Sequence, residues 1–316
     1  MIPEHIFRAY DIRGVYGVDL TEEIASRIGR AVSTYLNGEG KHVVVGRDVR
    51  LSGGSLEDAL IRGLLSGGCD IEEIGAIAEA HDLYLIEDAA HALGAEYAGK
   101  KVGTFADITM FSFHPVKHIT TGEGGMCGTD DEELSRRMRI LRNQGADTGA
   151  RERFGPSASW AYDVKLLGRN YRMTDFQAAL GLSQMKKLDG RIKRRQELAD
   201  KYSKGLKNTP LITLPCTKPN VKHVWHLYTI LLDRKIDREK FIAAMRAKNI
   251  GVSVHYCPVY RFSYYKKNFD FRPADFPVTE DVSSRIVTLP LFPKMSDKDV
   301  NDVVTAVEES IEALVK

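Results

Sequence analysis

The chain has 316 residues, 43% of them apolar and 28% charged, with a formal net charge of +2. These are ordinary proportions for a folded globular protein. It contains no apolar run of the length that a membrane span requires, and its N-terminus does not follow the secretory-signal pattern. The four cysteines are widely spaced and form no CxxC pair, which is typical of reduced thiols. We therefore expect a cytoplasmic protein without a metal.

The first 75 residues alternate helix and strand signals. Thr21 is placed to cap a helix that continues to about Leu36. A short apolar strand is predicted over residues 42–46, and a further helix over 55–65. This alternation predicts βαβ layering.

The alternation continues through residues 76–205. Buried strands are predicted over residues 83–86, 108–113 and 124–128, and helices over 131–141 and most of 172–204. The last of these carries the densest basic run, residues 186–195, without interleaved aromatic side chains. Such a run is typical of a solvated helix face, so nucleic-acid binding is not expected.

Residues 206–316 form a smaller predicted unit. We expect strands over 227–232 and 252–256 and helices over 238–248 and 297–315. The sequence thus predicts an α/β fold with a mixed or parallel sheet, in three segments: 1–75, 76–205 and 206–316.

Lys117 is a candidate nucleophile. It lies on a short turn between two apolar strands, beside the hydrogen-bonding side chains of Ser112 and His114. The glycines of residues 121–125 permit a tight backbone return there. A lysine that loses hydration in such a place has a lowered pKa, which makes its neutral amine available.

Asp88 ends the predicted strand that precedes this turn. Ligand contacts of α/β folds collect at the carboxyl ends of strands, and a buried carboxylate needs a cationic partner. The pyridinium nitrogen of pyridoxal 5′-phosphate (PLP) would be such a partner, because the pairing maintains the electron-sink character of the cofactor.

Three histidines raise the question of a metal. His223 and His226 are three residues apart in a segment that reads as a strand, where such an offset points side chains to opposite faces. We therefore expect no metal, and interpret His226 and His255 as substrate-side residues or as satisfied core histidines.

The stretch from Asp88 to Gly125 resembles the DegT/StrS-type nucleotide-sugar aminotransferases, which depend on PLP and have the fold-type I architecture. The resemblance continues in family order over about residues 69–316. It is carried further by the segments 167–179, 226–228, 251–259 and 289–293. It implies part of a fold-type I large domain followed by a smaller α+β domain.

The resemblance also implies residue roles. Lys117 is similar to the Schiff-base lysine, and Asp88 to the partner of the pyridine nitrogen. His91 occupies the position that approaches the ring oxygen, and Ser112 that of a phosphate ligand. Asn170 resembles the asparagine that reaches the cofactor phosphate of a neighbouring subunit, which implies a homodimer, although Arg169 stands where the family more often has tyrosine.

The implied reaction is transfer of an amino group to a nucleotide-linked keto sugar, with glutamate as the expected donor. Members that dehydrate sugars carry histidine in place of the lysine, whereas this chain has Lys117. The segment 114–117 is most similar to enzymes that aminate C4 of a UDP-linked 4-keto-6-deoxy-N-acetylhexosamine. Candidate substrate-side residues are His226, His255 and Tyr256.

Residues 1–75 resemble a second family, the phosphomannomutases and phosphoglucomutases. The similarity is carried by residues 6–14, 45–53 and 63–70. The family's phosphoserine motif does not occur in the sequence, so mutase activity is not expected. A gene fusion, a mis-assembled sequence or a deliberate chimera would each produce this join.

Two functional hypotheses follow. In the first, the chain is a PLP-dependent sugar aminotransferase that uses Lys117. In the second, it is a catalytically impaired fusion without productive PLP binding. The second arises because the mutase-like segment stands where the family carries a Gly-Thr/Ser phosphate loop and a ring-stacking aromatic residue.

Overall fold

The structure is a computed structural model that describes residues 20–35, 75, 78–79, 82–147 and 161–315. The strand predicted over 42–46 and the helix predicted over 55–65 lie outside the described residues. Helix α1 spans Glu22–Tyr35. Its predicted N-cap is confirmed, because the Ile24 amide donates to Thr21 Oγ1 over 3.4 Å.

The described strands are β1 (Ile86–Asp88), β2 (Glu96–Tyr97), β3 (Lys100–Lys101), β4 (Ile108–Ser112), β5 (Gly125–Gly128), β6 (Ile212–Thr213), β7 (Val221–Lys222), β8 (Tyr228–Leu232) and β9 (Ile286–Leu289). The helices after α1 are α2 (Glu132–Arg142), α3 (Asp175–Met185), α4 (Leu188–Leu206), α5 (Arg238–Ala247), α6 (Ser263–Asn268), α7 (Pro277–Arg285) and α8 (Asp297–Val315). The chain contains both strands and helices, and the prediction of an α/β protein is confirmed. Strict alternation is not observed among the described elements, because β1–β5 follow one another before α2, α3 and α4. The described pairings within the sheets β3-β2-β7 and β6-β8-β9 are antiparallel.

The chain divides into two compact units. One comprises residues 1–87, 105–109 and 128–135. The other, called the larger unit below, comprises residues 88–104, 110–127 and 136–316. The strands form three sheets, in the orders β1-β4-β5, β3-β2-β7 and β6-β8-β9.

The best-formed core of the larger unit surrounds the sheet β6-β8-β9. Strand β8 pairs with β9 in antiparallel register, with Tyr228 opposite Leu289 and Ile230 opposite Val287. Side chains of β8 alternate between fully and partly buried, as expected of a strand with one face on a core. Helices α4, α5 and α8 cover that face with buried apolar side chains such as Phe241.

The strand predicted over residues 83–86 is displaced towards the C-terminus. Strand β1 begins at Ile86, and the side chains of Leu83 and Ile86 are 60% and 66% exposed rather than buried. Among the strands that the structure describes, β1 has β4 alone beside it. A short strand with one described neighbour keeps part of its apolar surface open to solvent, which the sequence pattern does not reveal.

Two further expectations in the larger unit are wrong. Residues 252–256 form no strand. Ser253 alone pairs with β9, through two backbone hydrogen bonds to Thr288, and its neighbours make no further pairing with that strand. The segment between β7 and β8, which holds His223 and His226, is also not a strand. The expectation that His223 and His226 point to opposite faces of a strand therefore does not apply.

Among the described helices, none combines the length and the apolar character needed to cross a membrane.

Candidate functional site

Asp88 lies at the end of β1, where the chain turns sharply. The carboxylate Oδ1 of Asp88 accepts the amide of Ala90 over 3.0 Å, and the Ala89 amide donates to the carbonyl of Met110 over 2.9 Å. These contacts fix the turn that leads to His91, whose ring is half-buried.

Lys117 lies in a loop that returns tightly between β4 and β5. The Phe113 amide donates to the carbonyl of Gly124 over 2.9 Å, and the Thr121 amide donates to the carbonyl of Phe113 over 3.1 Å. Gly124 has a φ of +153°, and a Cβ there would collide with the hydroxyl of Thr121. Because glycine avoids both penalties, the predicted tight return is confirmed. It leaves Lys117 half-buried.

The amine of Lys117 shares one electrostatic neighbourhood with three of the other predicted residues. Burial lowers its pKa, and the charge of Asp88 opposes that change. Burial and then the charge of Lys117 lower the pKa of His91 and of His255. Burial therefore favours the neutral form of the amine and of both imidazoles.

Aromatic contacts join the remaining predicted residues to this cluster. The ring centroids of His91 and His226 are 4.2 Å apart, and those of His91 and Tyr256 are 6.4 Å apart. The ring of His255 lies 4.7 Å from that of Tyr256, and its Nδ1 is 2.8 Å from Thr288 Oγ1. The larger unit thus brings together the predicted residues Asp88, His91, Lys117, His226, His255 and Tyr256.

The other two predicted cofactor residues are placed differently. Ser112 ends β4, and its hydroxyl accepts the amide of His114 over 3.4 Å. Asn170 is exposed and forms an isolated bridge with Asn143. Within the described part of the chain, no contact joins Asn170 to Lys117.

Sequence reasoning missed His118 and Arg195. Burial lowers the pKa of His118 to about 4, and burial followed by the charge of His91 lowers that of His226 to about 2. Arg195 is buried, and its Nη1 donates to the carbonyls of Trp225, His226 and Leu291. His118 directly follows Lys117 in the sequence, and that position could have identified it as a residue of the site. Arg195 belongs to the basic run of residues 186–195, and nothing in the sequence distinguishes it from the other basic residues there.

The donor set around Lys117 fits a cofactor that has a carbonyl group and a protonated ring nitrogen. No group of three potential ligands among histidine, cysteine, aspartate and glutamate occurs in the ranges that the structure describes. A half-buried amine and a carboxylate influence each other, yet among the described residues no ion pair within 4 Å joins Lys117 to Asp88. Both groups are therefore available to a ligand that offers a carbonyl group and a protonated ring nitrogen, as PLP does.

Two family profiles match the chain. The profile of the DegT/DnrJ/EryC1/StrS aminotransferase family matches residues 63–308, and that of phosphoglucomutase/phosphomannomutase alpha/beta/alpha domain I matches residues 4–94. They overlap over residues 63–94, which contains the join expected from the sequence.

Curated relatives match over the aminotransferase part. Uncharacterized protein MJ1066 of Methanocaldococcus jannaschii is 48% identical over 246 residues, and the spore coat polysaccharide biosynthesis protein SpsC of Bacillus subtilis is 42% identical over 247 residues. Each match covers 77% of this chain, which spans 64% of the length of each relative.

A solved structure has a similar fold over most of the chain. Helicobacter pylori PseC, an aminotransferase involved in the biosynthesis of pseudoaminic acid, matches with a TM-score of 0.72 at 25% identity. The match covers 92% of this chain and 85% of PseC. Since the aminotransferase profile spans most of the sequence and the site residues lie within it, the chain belongs to the DegT/DnrJ/EryC1/StrS aminotransferase family.

Proposed function

We propose that this chain is a PLP-dependent aminotransferase of nucleotide-linked keto sugars. The observation that carries the proposal is the half-buried amine of Lys117, held in one cluster with Asp88 and His91 and with a lowered pKa. Members of the family bind PLP. When bound, PLP supplies an electron sink for the substrate carbon that carries the transferred nitrogen.

Asp88 and Lys117 would have different roles at the cofactor. Asp88 would hold the protonated ring nitrogen, because its carboxylate ends β1 with one backbone donor already in place. Lys117 Nζ would attach the cofactor covalently and afterwards carry a proton to and from the substrate carbon, which requires a neutral amine. Burial lowers the pKa of the amine and so favours that neutral form.

Ser112 and Asn170 would bind the cofactor phosphate, with Asn170 contributed to the site of a second copy of this chain. Two features support this assignment: Ser112 ends a strand beside the Lys117 loop, and Asn170 is exposed. The active form would then be a homodimer. His226, His255 and Tyr256 are the candidates for the substrate side of the site.

The proposed substrate is a UDP-linked 4-keto-6-deoxy-N-acetylhexosamine, and the proposed donor is glutamate. The product would carry an amino group in place of the C4 carbonyl, and glutamate would leave as 2-oxoglutarate. SpsC is described as a spore coat polysaccharide biosynthesis protein, which supports a role in polysaccharide precursor synthesis.

A PLP titration followed by visible absorbance tests the proposal. The wild-type protein is expected to shift the PLP band as the cofactor attaches to the amine, and Lys117→Ala is expected to abolish the shift. Lys207→Ala, an exposed lysine at the end of α4, is the matched control and should behave as the wild type. A wild-type protein that causes no shift would support the impaired-fusion hypothesis instead.

The reaction itself is tested by mass spectrometry. Wild-type protein with PLP, glutamate and the UDP-4-keto sugar should convert the sugar to its 4-amino form, and Lys117→Ala should not. Product with the wild type but none when aspartate or glutamine replaces glutamate would establish the donor.

A further inference from the structure

Three imidazoles form a column that leads from the core of the larger unit to the proposed cofactor site. The ring centroids of His118 and His226 are 5.5 Å apart, and those of His226 and His91 are 4.2 Å apart. His118 and His226 are only 3% and 7% exposed, whereas His91 is half-buried. The column therefore has two buried members and one member that a ligand can reach.

Backbone contacts fix the buried end of the column. His118 Nε2 lies 3.0 Å from the carbonyl oxygen of Val224, and since that oxygen can only accept, Nε2 carries the proton. Arg195 Nη1 donates to the carbonyl of Trp225 over 3.0 Å and to that of His226 over 3.2 Å. Both contacts hold the segment from which the His226 ring projects.

Polar contacts do not account for a histidine at position 226. Its Nδ1 is buried and has no hydrogen-bond partner among the described residues, and burial of an unpaired polar atom is costly. The ring instead packs against His91, at an interplanar angle of 52°, and against His118. The contact with His91 is the one that reaches the proposed site.

Burial, and then the charges around the column, lower the pKa of all three imidazoles. The neighbours that act on His226 are His91, Lys117, His118 and Arg195, in that order after burial. Those that act on His118 are Arg195, His91 and His223, and those that act on His91 are Lys117, Asp88 and His255. Asp88 is the one carboxylate in this set. Its charge raises the pKa of His91, but burial and the charge of Lys117 lower it by more.

We propose that His226 is a positioning residue: its ring is a fixed platform that sets the orientation of His91, and His118 and Arg195 hold that platform in place. The proposal rests on the proposed function, because the orientation of His91 matters for PLP only if this chain binds PLP.

The first test needs no cofactor. The His91 imidazole is titrated by NMR in wild-type protein, His226→Ala and His226→Phe, all free of PLP. We expect His226→Ala to raise the pKa of His91 towards its ordinary value, because water replaces the platform, and His226→Phe to leave it lowered, because a flat ring remains. Lys207→Ala, at an exposed residue at the end of α4, is the control and should change nothing.

The second test is a double-mutant cycle on PLP affinity. His226→Ala is expected to weaken PLP binding about tenfold, a typical coupling between residues in contact. In a His91→Ala background it should weaken binding no further, because the platform then has nothing to position. Thermal unfolding of each variant shows which of them fold, and His226→Leu replaces His226→Ala if the alanine variant does not.

Three results would overturn the proposal. They are an unchanged titration of His91 in His226→Ala, an equal shift in His226→Phe, and losses of PLP affinity that add in the double mutant. A wild-type protein that binds no PLP would contradict the proposed function, while the cofactor-free titration would still decide the role of His226.

Discussion

Burial acts in one direction on the basic side chains of the site. It disfavours the charged form of an amine or an imidazole, so the pKa values of Lys117, His91 and His255 all lie below their ordinary values. Asp88 opposes this for Lys117 and His91 without reversing it. The site therefore favours the neutral form of these nitrogen bases, which is the form that accepts a proton.

The pKa of His118 makes the stability of the protein depend on pH. Burial lowers this pKa to about 4 in the folded state, whereas an unfolded chain has about 6.5. The unfolded state therefore binds the proton first, so stability is complete above about pH 6.5 and falls as the pH drops to about 4. Integrated over that window, the free energy of unfolding decreases by about 3 kcal/mol.

Urea unfolding at several pH values checks this expectation. His118→Phe should remove that part of the pH dependence, whereas His114→Phe, at an exposed histidine of the same loop, should keep it. If the free energy of unfolding depended on pH equally in the wild type and in His118→Phe, His118 would not be the cause of that dependence.

At the scale of the element, the helices followed from local signals. The predictions over 131–141, 238–248 and 297–315 differ from α2, α5 and α8 by no more than one residue at each end. Helix α5 shows why, because the side chain of Asp237 caps it by accepting the Lys240 amide over 3.1 Å. Such signals lie within one turn of the helix that they begin.

Features that depend on distant partners were not visible in the sequence. Residues 252–256 have the composition of a strand, but only Ser253 finds a partner on β9. The clamp that Arg195 forms on His226 links residues 31 positions apart. The motif around Lys117 was found because its residues are adjacent in the chain, whereas the histidine column and its clamp depend on tertiary packing.

The start of helix α3 is held by a cap and not by core packing. It has no buried side chain, and Thr174 and Gln177 form a capping box in which each side chain bonds the backbone of the other. Gln177 Nε2 also donates to the carbonyl of Glu123 over 2.9 Å, beside the Lys117 loop. Thr174→Ala should therefore cost about 1 kcal/mol in local stability.

Hydrogen exchange of the Gln177 and Ala178 amides measures this cost. We expect exchange about fivefold faster in Thr174→Ala, the factor that corresponds to about 1 kcal/mol. Ser183→Ala, at an exposed interior position of the same helix, should not accelerate it. Unchanged exchange at Gln177 in Thr174→Ala would show that packing rather than the cap holds the start of the helix.

At the scale of the whole molecule, the chain joins parts of two families. The mutase profile covers residues 4–94 and the aminotransferase profile residues 63–308. The residues that cluster around Lys117 all follow position 87 and belong to the larger unit. The proposed ring-nitrogen and amine contacts of PLP would thus lie within one unit. The mutase-like segment stands where the resemblance implies a phosphate loop and a stacking aromatic residue.

This replacement is expected to make PLP binding weak. Each charge-assisted hydrogen bond to a phosphate contributes about 1.5–3 kcal/mol, and a ring stack about 1 kcal/mol more. Two such bonds and the stack amount to about 4–7 kcal/mol, or about three to five decades of affinity. Covalent attachment to Lys117 offsets part of that loss.

We therefore expect PLP to leave the protein on dialysis and turnover to be slow. The measurement is the dissociation constant and the cofactor content after dialysis, with SpsC treated identically as the comparison. Tight one-to-one loading with rapid transamination of the UDP-4-keto sugar would contradict the expectation. It would indicate that arginines of the mutase-like segment, such as Arg8, Arg13, Arg47 or Arg50, bind the phosphate instead. These residues lie outside the described ranges, so replacing each of them by alanine and repeating the titration would identify the one that compensates.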